Sequence, residues 1–361
     1  MKAILMLEDG KNFQGEALGA SPERIGELVL NTAVVGYQEM MTDPANAGKI
    51  LVLTYPLIGN YGVAPKFNES KNVWLAALVI KEKSRIFSNW QAKASFDDFV
   101  KQHNLLTIMG VDTRTLAVHL RQKGQMSGII STSNFEIKEL LSKIENFKRK
   151  IPESLLPKIS VSKRTVLGKG KTKQKRVAVL DIGITNSIIK QLQTLGLAII
   201  LLPYNTKASE ILRFKPHGLI ISGGPEEDAG LREVITNVKA LINKIPILGI
   251  STGHQVLALA LGAKITKMKL GHHGVNYPLQ NPASYKGEIT VQNHSYVVDT
   301  DSLTKIKQIK ITGYNLNDRT VEEFESKSLK LMAVQYYPAS PGFDEVNAAF
   351  KRFMKMLGRS S

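Results

Sequence analysis

The sequence predicts an α/β protein in two parts: a C-terminal doubly wound parallel sheet preceded by a mixed α+β N-terminal domain. Three observations predict it. Buried-strand runs alternate with amphipathic stretches from residue 177 onward, and separate strand-like runs dominate the N-terminal part. Between them, the segment 151–176 is rich in lysine, carries prolines and glycines, and follows no hydrophobic period. The expected organisation is a domain over 1–150, a basic linker over 151–176, and a second domain over 177–361.

The N-terminal part opens with the apolar run AILML, a turn at Glu8-Asp9-Gly10 and a second short run, which is a hairpin signal. Further strand-like runs follow at ELVLNTAVV, KILVLTYP and VWLAALVI. Helices are expected at SFDDFVKQHN and at TRTLAVHLRQKG, the latter closed by Gly124. In the C-terminal part, RVAVLDIG reads as a buried strand, TNSIIKQLQTLG as a helix closed by Gly196, and LAIILLPY as a strand. HGLIISGGP is a strand running into a glycine-rich turn, and AGLREVITNVKALINK is a helix. PILGIS is a strand, and TGHQVLALALGA is the helix after it. Ligands of such sheets sit at the carboxyl ends of the strands, where Ser222 to Pro225 and Ser251 both fall.

Composition narrows the function classes. With 43% hydrophobic and 22% charged residues, the profile is globular rather than disordered. Apolar stretches such as Leu195 to Leu202 are too short to span a bilayer, and no targeting signal is expected at the N-terminus. The expectation is a cytoplasmic protein without a membrane partner. The absence of cysteine removes disulfides, thiolate metal sites and cysteine nucleophiles. The net charge of +17 is lysine-dominated and concentrated between Lys143 and Arg176, but no aromatic interleaving accompanies it. A nucleic-acid partner is therefore not expected.

The chemistry-bearing motif is Gly249-Ile250-Ser251-Thr252-Gly253, a G-x-S-x-G turn between a buried strand and a helix. The backbone N–H of Thr252 is a candidate oxyanion donor. One interpretation is a serine hydrolase, in which Glu288 followed by His294 satisfies the order acid then histidine by position alone. The other is an elbow in which serine replaces another nucleophile.

The wider residues carry a resemblance. PILGISTGHQVLALALGAKITKMKLGHHGVNYPL resembles the elbow of class I glutamine amidotransferases, usually G-I-C-x-G-H-Q, with cysteine where Ser251 stands. ISGGP resembles their oxyanion turn, QNHSYVVD a glutamine-contact loop, and VQYYPASPG the segment that normally supplies a His-x-Glu pair. LEDGKNFQGEALGA, GELVLNTAVVGYQEMMTDPANAGKILVLTYPLIGNYGV and GVDTRTLAVHLRQKGQMSGII resemble the N-terminal domain of the carbamoyl phosphate synthase small subunit. The resemblance covers the chain outside the linker.

What it implies is a subunit that hydrolyses glutamine and passes ammonia to a large subunit. That partner makes carbamoyl phosphate for arginine and pyrimidine synthesis. No cofactor is implied for this chain; ATP and magnesium belong on the large subunit. Site positions carry over one by one. Ser251 takes the nucleophile position and Tyr337 the histidine position, where a phenol of pKa near 10 is a poor base. Pro338 leads directly to Ala339, so the glutamate of the pair is missing. Among the glutamine contacts, Gln255 and Asn293 match and Gly224 keeps a backbone contact. Ala45 replaces a serine, Thr252 a leucine, Ser295 a glycine and Tyr296 a phenylalanine. Glu226 replaces a glycine, placing negative charge where an oxyanion would develop.

These losses predict impaired or absent glutaminase activity without tight glutamine binding, the chain persisting as a structural partner. The alternatives are a free-standing pseudo-amidotransferase that binds some other partner, and the serine hydrolase. His254 is expected to be structural, as are His272, His273 and His294, and no metal site is expected.

Overall fold

A computed structural model describes residues 1–20, 22–150, 153–168, 174–342 and 344–358. The chain forms two compact units, one of Met1–Pro152 with Lys269–His273, the other of Glu153–Met268 with Gly274–Ser361. No helix among the described residues is long and apolar enough to cross a membrane.

In the first unit, strands close a barrel in the order Lys2–Leu7, Asn12–Leu18, Leu106–Met109, Ala77–Val79, Ile50–Leu53, Glu23–Asn31 and Ser127–Ser131. The expected hairpin is present, with Lys2 opposite Glu16 and Met6 opposite Asn12. Alternate side chains of each strand fall on opposite faces and so into different cores, as the period of two requires. Leu5, Leu7, Leu28, Leu30, Ile50 and Val52 pack with Leu116 and Leu120 of the helix Thr113–Lys123. Val29, Leu51, Leu53 and Leu78 pack with Phe96, Phe99 and Val100 of the helix Phe96–Gln102. That helix starts at a capping box of Ser95 and Asp98, and the longer one ends at Gly124 with φ of 105°.

The expected strand VWLAALVI contracts to Ala77–Val79. The backbone of Trp74 instead donates to Met41 O and accepts from Gly48 N, tying it to the preceding helical loop. A helix at Ile137–Arg149, not among the expected ones, buries Leu140 and Ile144 against Ile4, Met6 and Ile129. Its lysines were part of the basic excess. Lys143 pairs with Glu23 at 2.7 Å and Lys148 with Glu8 at 3.1 Å, so that charge is partly matched within the unit.

The second unit is built on a sheet whose centre is the expected parallel one. Ala198–Pro203, Arg176–Asp181, Gly218–Ile221, Ile247–Ile250 and Leu331–Val334 run parallel in that order. Both faces are covered. Ala178, Leu180, Ile200, Leu219 and Ile247 pack with Val234 and Val238 of the helix Leu231–Lys239 and with Val256 and Leu257 of the helix Thr252–Ala260. Val177, Val179, Ile199, Ile220 and Leu248 pack with Ile188 and Leu192 of the helix Asn186–Thr194 and with Phe350 and Phe353 of the helix Ala348–Met356. Near-continuous apolar strands are what burial on both faces demands.

Two features differ from expectation. The sheet is mixed, because Val321–Ser326, Lys310–Asn315 and the Leu279–Gln280 end of Ile265–Gln280 extend it antiparallel, with Gly287–Val298 beyond them. QNHSYVVD, expected as a loop, therefore lies in a strand, where GEITVQNHSYVV continues the ladder. The linker is also structured in part. Leu156 is buried in the sheet's core, and Thr165–Leu167 pairs antiparallel with Ile199 to Leu201. Asp181 Oδ2 accepts from Val161 N at 2.8 Å, and the Asp228 carboxylate accepts from Leu155 N. These anchors are single residues spaced too widely to set up a hydrophobic period. Residues 151–152 and 169–173 of that segment lie outside the described residues.

Candidate amidotransferase-like site

The strand Ile247–Ile250 ends at Ser251, whose φ of 53° and ψ of −114° lie in a region that residues with a side chain seldom adopt. The sharp reversal follows from this conformation. Ser251 N donates to Val334 O of the neighbouring strand at 2.8 Å, while Ser251 O accepts from His254 N at 2.9 Å and starts the helix. The chain can reverse so tightly only because Gly249 and Gly253, two residues to either side of Ser251, lack side chains. A Cβ on Gly253 would stand 2.2 Å from Ile221 O, and one on Gly249 would stand 2.5 Å from Gly253 O. This is the backbone of a nucleophile elbow.

The glycine-rich turn comes up against it. A Cβ on Gly223 would meet Ser251 Cβ at 3.4 Å, and one on Gly224 would collide with Ile182 O at 1.8 Å. Thr252 Oγ1 donates to Gly224 O at 2.5 Å, locking the turn to the first residue of the helix. The structure thus brings together Ser251, Thr252, Gln255, Gly224, Glu226, Ser295 and Tyr296 from three segments that are distant in sequence. Asn293 lies half-buried on the strand that carries Ser295 and Tyr296. Ala45 belongs to the first unit, buried in the short helix Pro44–Asn46, with its N–H donated to Asp43 Oδ1 at 2.9 Å.

Ser251 is buried, and among the described residues no side chain hydrogen-bonds its hydroxyl. Tyr337, at the expected histidine position, is pinned elsewhere. Its backbone N–H donates to Val291 O at 2.8 Å, and its hydroxyl bonds the side chains of Thr185 and Ser187 at the start of the helix Asn186–Thr194. The segment after it is fixed by Gln191 Nε2 donating to Pro338 O and Asn347 Nδ2 donating to Ala339 O.

Neither His294 nor His254 serves as a base for Ser251. His294 has Nδ1 at 3.0 Å from Tyr296 O and Nε2 at 3.2 Å from the Gln292 side chain. His254 is fully buried with its ring 4.8 Å from that of Phe324, and burial pushes its pKa down to about 3. Proton transfer is most effective when the catalytic pKa lies near the working pH, so an imidazole held that low is a poor base at neutrality. The strand residues nearby form a buried polar network, with Asn315 Nδ2 donating to Glu322 Oε1 at 3.4 Å. Burial raises Glu322 to about 8.

The feature least visible in the sequence is what Glu226 does. Its charge was expected to face a developing oxyanion. Instead its carboxylate accepts from Gln255 Nε2 at 2.7 Å, Ser295 N at 2.7 Å and Tyr296 N at 3.1 Å. The partnership of Thr185 and Ser187 with Tyr337 is likewise invisible in the sequence, where nothing joins them to position 337.

Comparison with known proteins fits this geometry. Residues 5–130 match the family model for the carbamoyl-phosphate synthase small chain, CPSase domain, and residues 178–356 that for glutamine amidotransferase class-I. The carbamoyl phosphate synthase small chain of Chlorobaculum tepidum is 38% identical over 99% of this chain and 98% of its own length. That of Listeria monocytogenes serotype 4b is 39% identical over 99% of this chain and 97% of its own. The pyrimidine-specific small chain of Bacillus subtilis is 37% identical over 99% of this chain and 96% of its own.

Proposed function

The chain belongs to the carbamoyl phosphate synthase small-chain family, and from that premise we propose that its own glutamine hydrolysis is impaired or lost and that it is retained to bind and shape the large subunit. One observation carries this. The elbow holds a serine whose hydroxyl has no side-chain partner among the described residues, while the phenol at the histidine position is bonded to Thr185 and Ser187. Serine needs a positioned base to become a nucleophile at neutral pH. Loss of general-base help alone removes roughly 10² to 10⁴ in rate.

The large partner then carries the ATP and magnesium chemistry and draws on free ammonia. The product serves arginine or pyrimidine synthesis, and the chain works in the cytoplasm. The same observation weighs against the serine-hydrolase alternative.

The test is ammonia release from glutamine by the reconstituted complex of both subunits, beside carbamoyl phosphate synthesis from ammonium. Synthesis from ammonium with no glutamine turnover is expected. Glutamine turnover that Ser251→Ala abolishes would overturn the loss of activity, and failure of the subunits to associate would overturn the partner role.

A further inference from the structure

Resting on that functional reading, we infer that the Glu226 side chain is an internal ligand: its carboxylate fills a built carboxylate-recognition cradle and closes it to free amino acids. At least three donors converge on it. The backbone N–H of Ser295 binds Oε2, while the backbone N–H of Tyr296 and Nε2 of Gln255 bind Oε1. Both oxygens are therefore engaged, in a buried setting where charge-assisted hydrogen bonds are strong.

The cradle is held from behind. Gln255 Nε2 also donates to Tyr296 O at 3.0 Å, and Gln255 sits on the first turn of the elbow helix. Above it, the Tyr296 hydroxyl donates to the Glu227 carboxylate, and Lys267 lies 3.8 Å from Glu227 and 5.6 Å from the Tyr296 ring. Such a set of donors suits the carboxylate of a free amino acid equally well. Glu226 has the advantage of being tethered two residues from the fixed Gly224, so it pays no translational entropy on binding. A small carboxylate from solution has to displace it.

This adds a second block to glutamine chemistry, distinct from the missing base. The first acts on turnover and this one on binding, so the two are tested by different readouts.

The experiment compares the full-length parent chain with Glu226→Ala, using L-glutamine and sodium acetate as probes. Binding is followed by calorimetry and by the shift in melting temperature, with sodium chloride matching the ionic strength. The parent is expected to show no response to either probe beyond that of chloride. Glu226→Ala is expected to bind L-glutamine at least about 10-fold more tightly than the parent, the worth of one charge-assisted hydrogen bond, and to gain melting temperature in acetate. Equal behaviour of the two proteins overturns the inference, as does L-glutamine binding to the parent at the affinity of the variant. If Glu226→Ala cannot be purified folded, Glu226→Gln carries the test through amide hydrogen exchange. An amide offers one acceptor oxygen in place of two, so exchange at Ser295 or Tyr296 should accelerate about 10-fold. Unchanged exchange at both overturns the inference. None of these readouts depends on glutamine hydrolysis, so ammonia release by the parent complex would sink the functional reading while leaving the binding result to be judged separately.

Discussion

Replacing His254 by leucine should flatten the acid side of the stability profile. In the folded chain the imidazole is fully buried against Phe324, and burial lowers its pKa from 6.5 to about 3. The sign follows from linkage. A group whose pKa is depressed on folding contributes fully above its unfolded value and loses that contribution as pH falls, here from 6.5 towards 3. At pH 5 the unfolded chain binds a proton at this site and the folded chain does not. The unfolded state therefore gains about 2 kcal/mol relative to pH 7.5, at roughly 1.4 kcal/mol for each pH step below 6.5. Urea midpoints at pH 7.5 and pH 5 measure it. The parent should lose about 2 kcal/mol more than His254→Leu over that interval, whatever the absolute stability of the variant. The His254 ring protons should also show no NMR titration between pH 5 and 8. Equal pH slopes in both proteins, or a ring that titrates near 6.5, would refute both the burial argument and the structural role given to this histidine.

Ser251→Cys should not restore glutamine turnover in the complex, because a thiol brings a lower pKa but no imidazole beside it; ammonia release well above the parent's would show that a base has been missed. Ser251→Gly should stabilise the chain by about 1 kcal/mol. It relieves the strain of φ at 53°, an effect of order 1–3 kcal/mol, against roughly 0.5–1 kcal/mol of added backbone entropy in the unfolded chain. Ser251→Ala keeps the strain and serves as the comparison, and a glycine variant less stable than the alanine one would count against a strained elbow. Tyr337→Phe removes the hydroxyl that bonds Thr185 and Ser187, leaving their side chains to find other partners. A loss of about 1–2 kcal/mol in a urea titration is expected with ammonium-dependent synthesis unchanged, and a drop in that synthesis would give Tyr337 a role in the chemistry.

The parallel centre of the second unit was legible because its strands are buried on both faces, and runs such as RVAVLD and HGLII can hardly be anything else. The barrel hairpin was legible from its turn chemistry. The antiparallel strands were not. Gly287–Val298 has polar residues on both faces, buried Thr290, Gln292, His294 and Ser295 among them, so the usual contrast between faces is missing. Buried polar residues of that kind are stabilised by hydrogen bonds to partners far along the chain, which no local pattern announces. The same holds at the site. Substitutions at positions 251, 337 and 226 could be seen one at a time, but the direction of each side chain could not. Glu226 shows the consequence most clearly, because its charge was visible while its donors include groups of residues 255, 295 and 296.

That separation between backbone and side chain means that the shape of an elbow does not depend on its chemistry. The turn is enforced by contacts that never touch a substrate: Gly253 against Ile221 O, Gly224 against Ile182 O, and Ser251 N on Val334 O. Each ties the turn to a central strand of the sheet or to the residue just past its end, so distorting it would disturb the core that stabilises the whole unit. The groups that perform hydrolysis have no such ties. A nucleophile, a base and an oxyanion glycine can each change with little effect on the packing around them, provided the newcomer finds partners, as Tyr337 does with Thr185 and Ser187 and Glu226 does in its cradle. The stability of the elbow therefore reports on packing, while the partners of the side chains at 251, 337 and 226 report on catalysis.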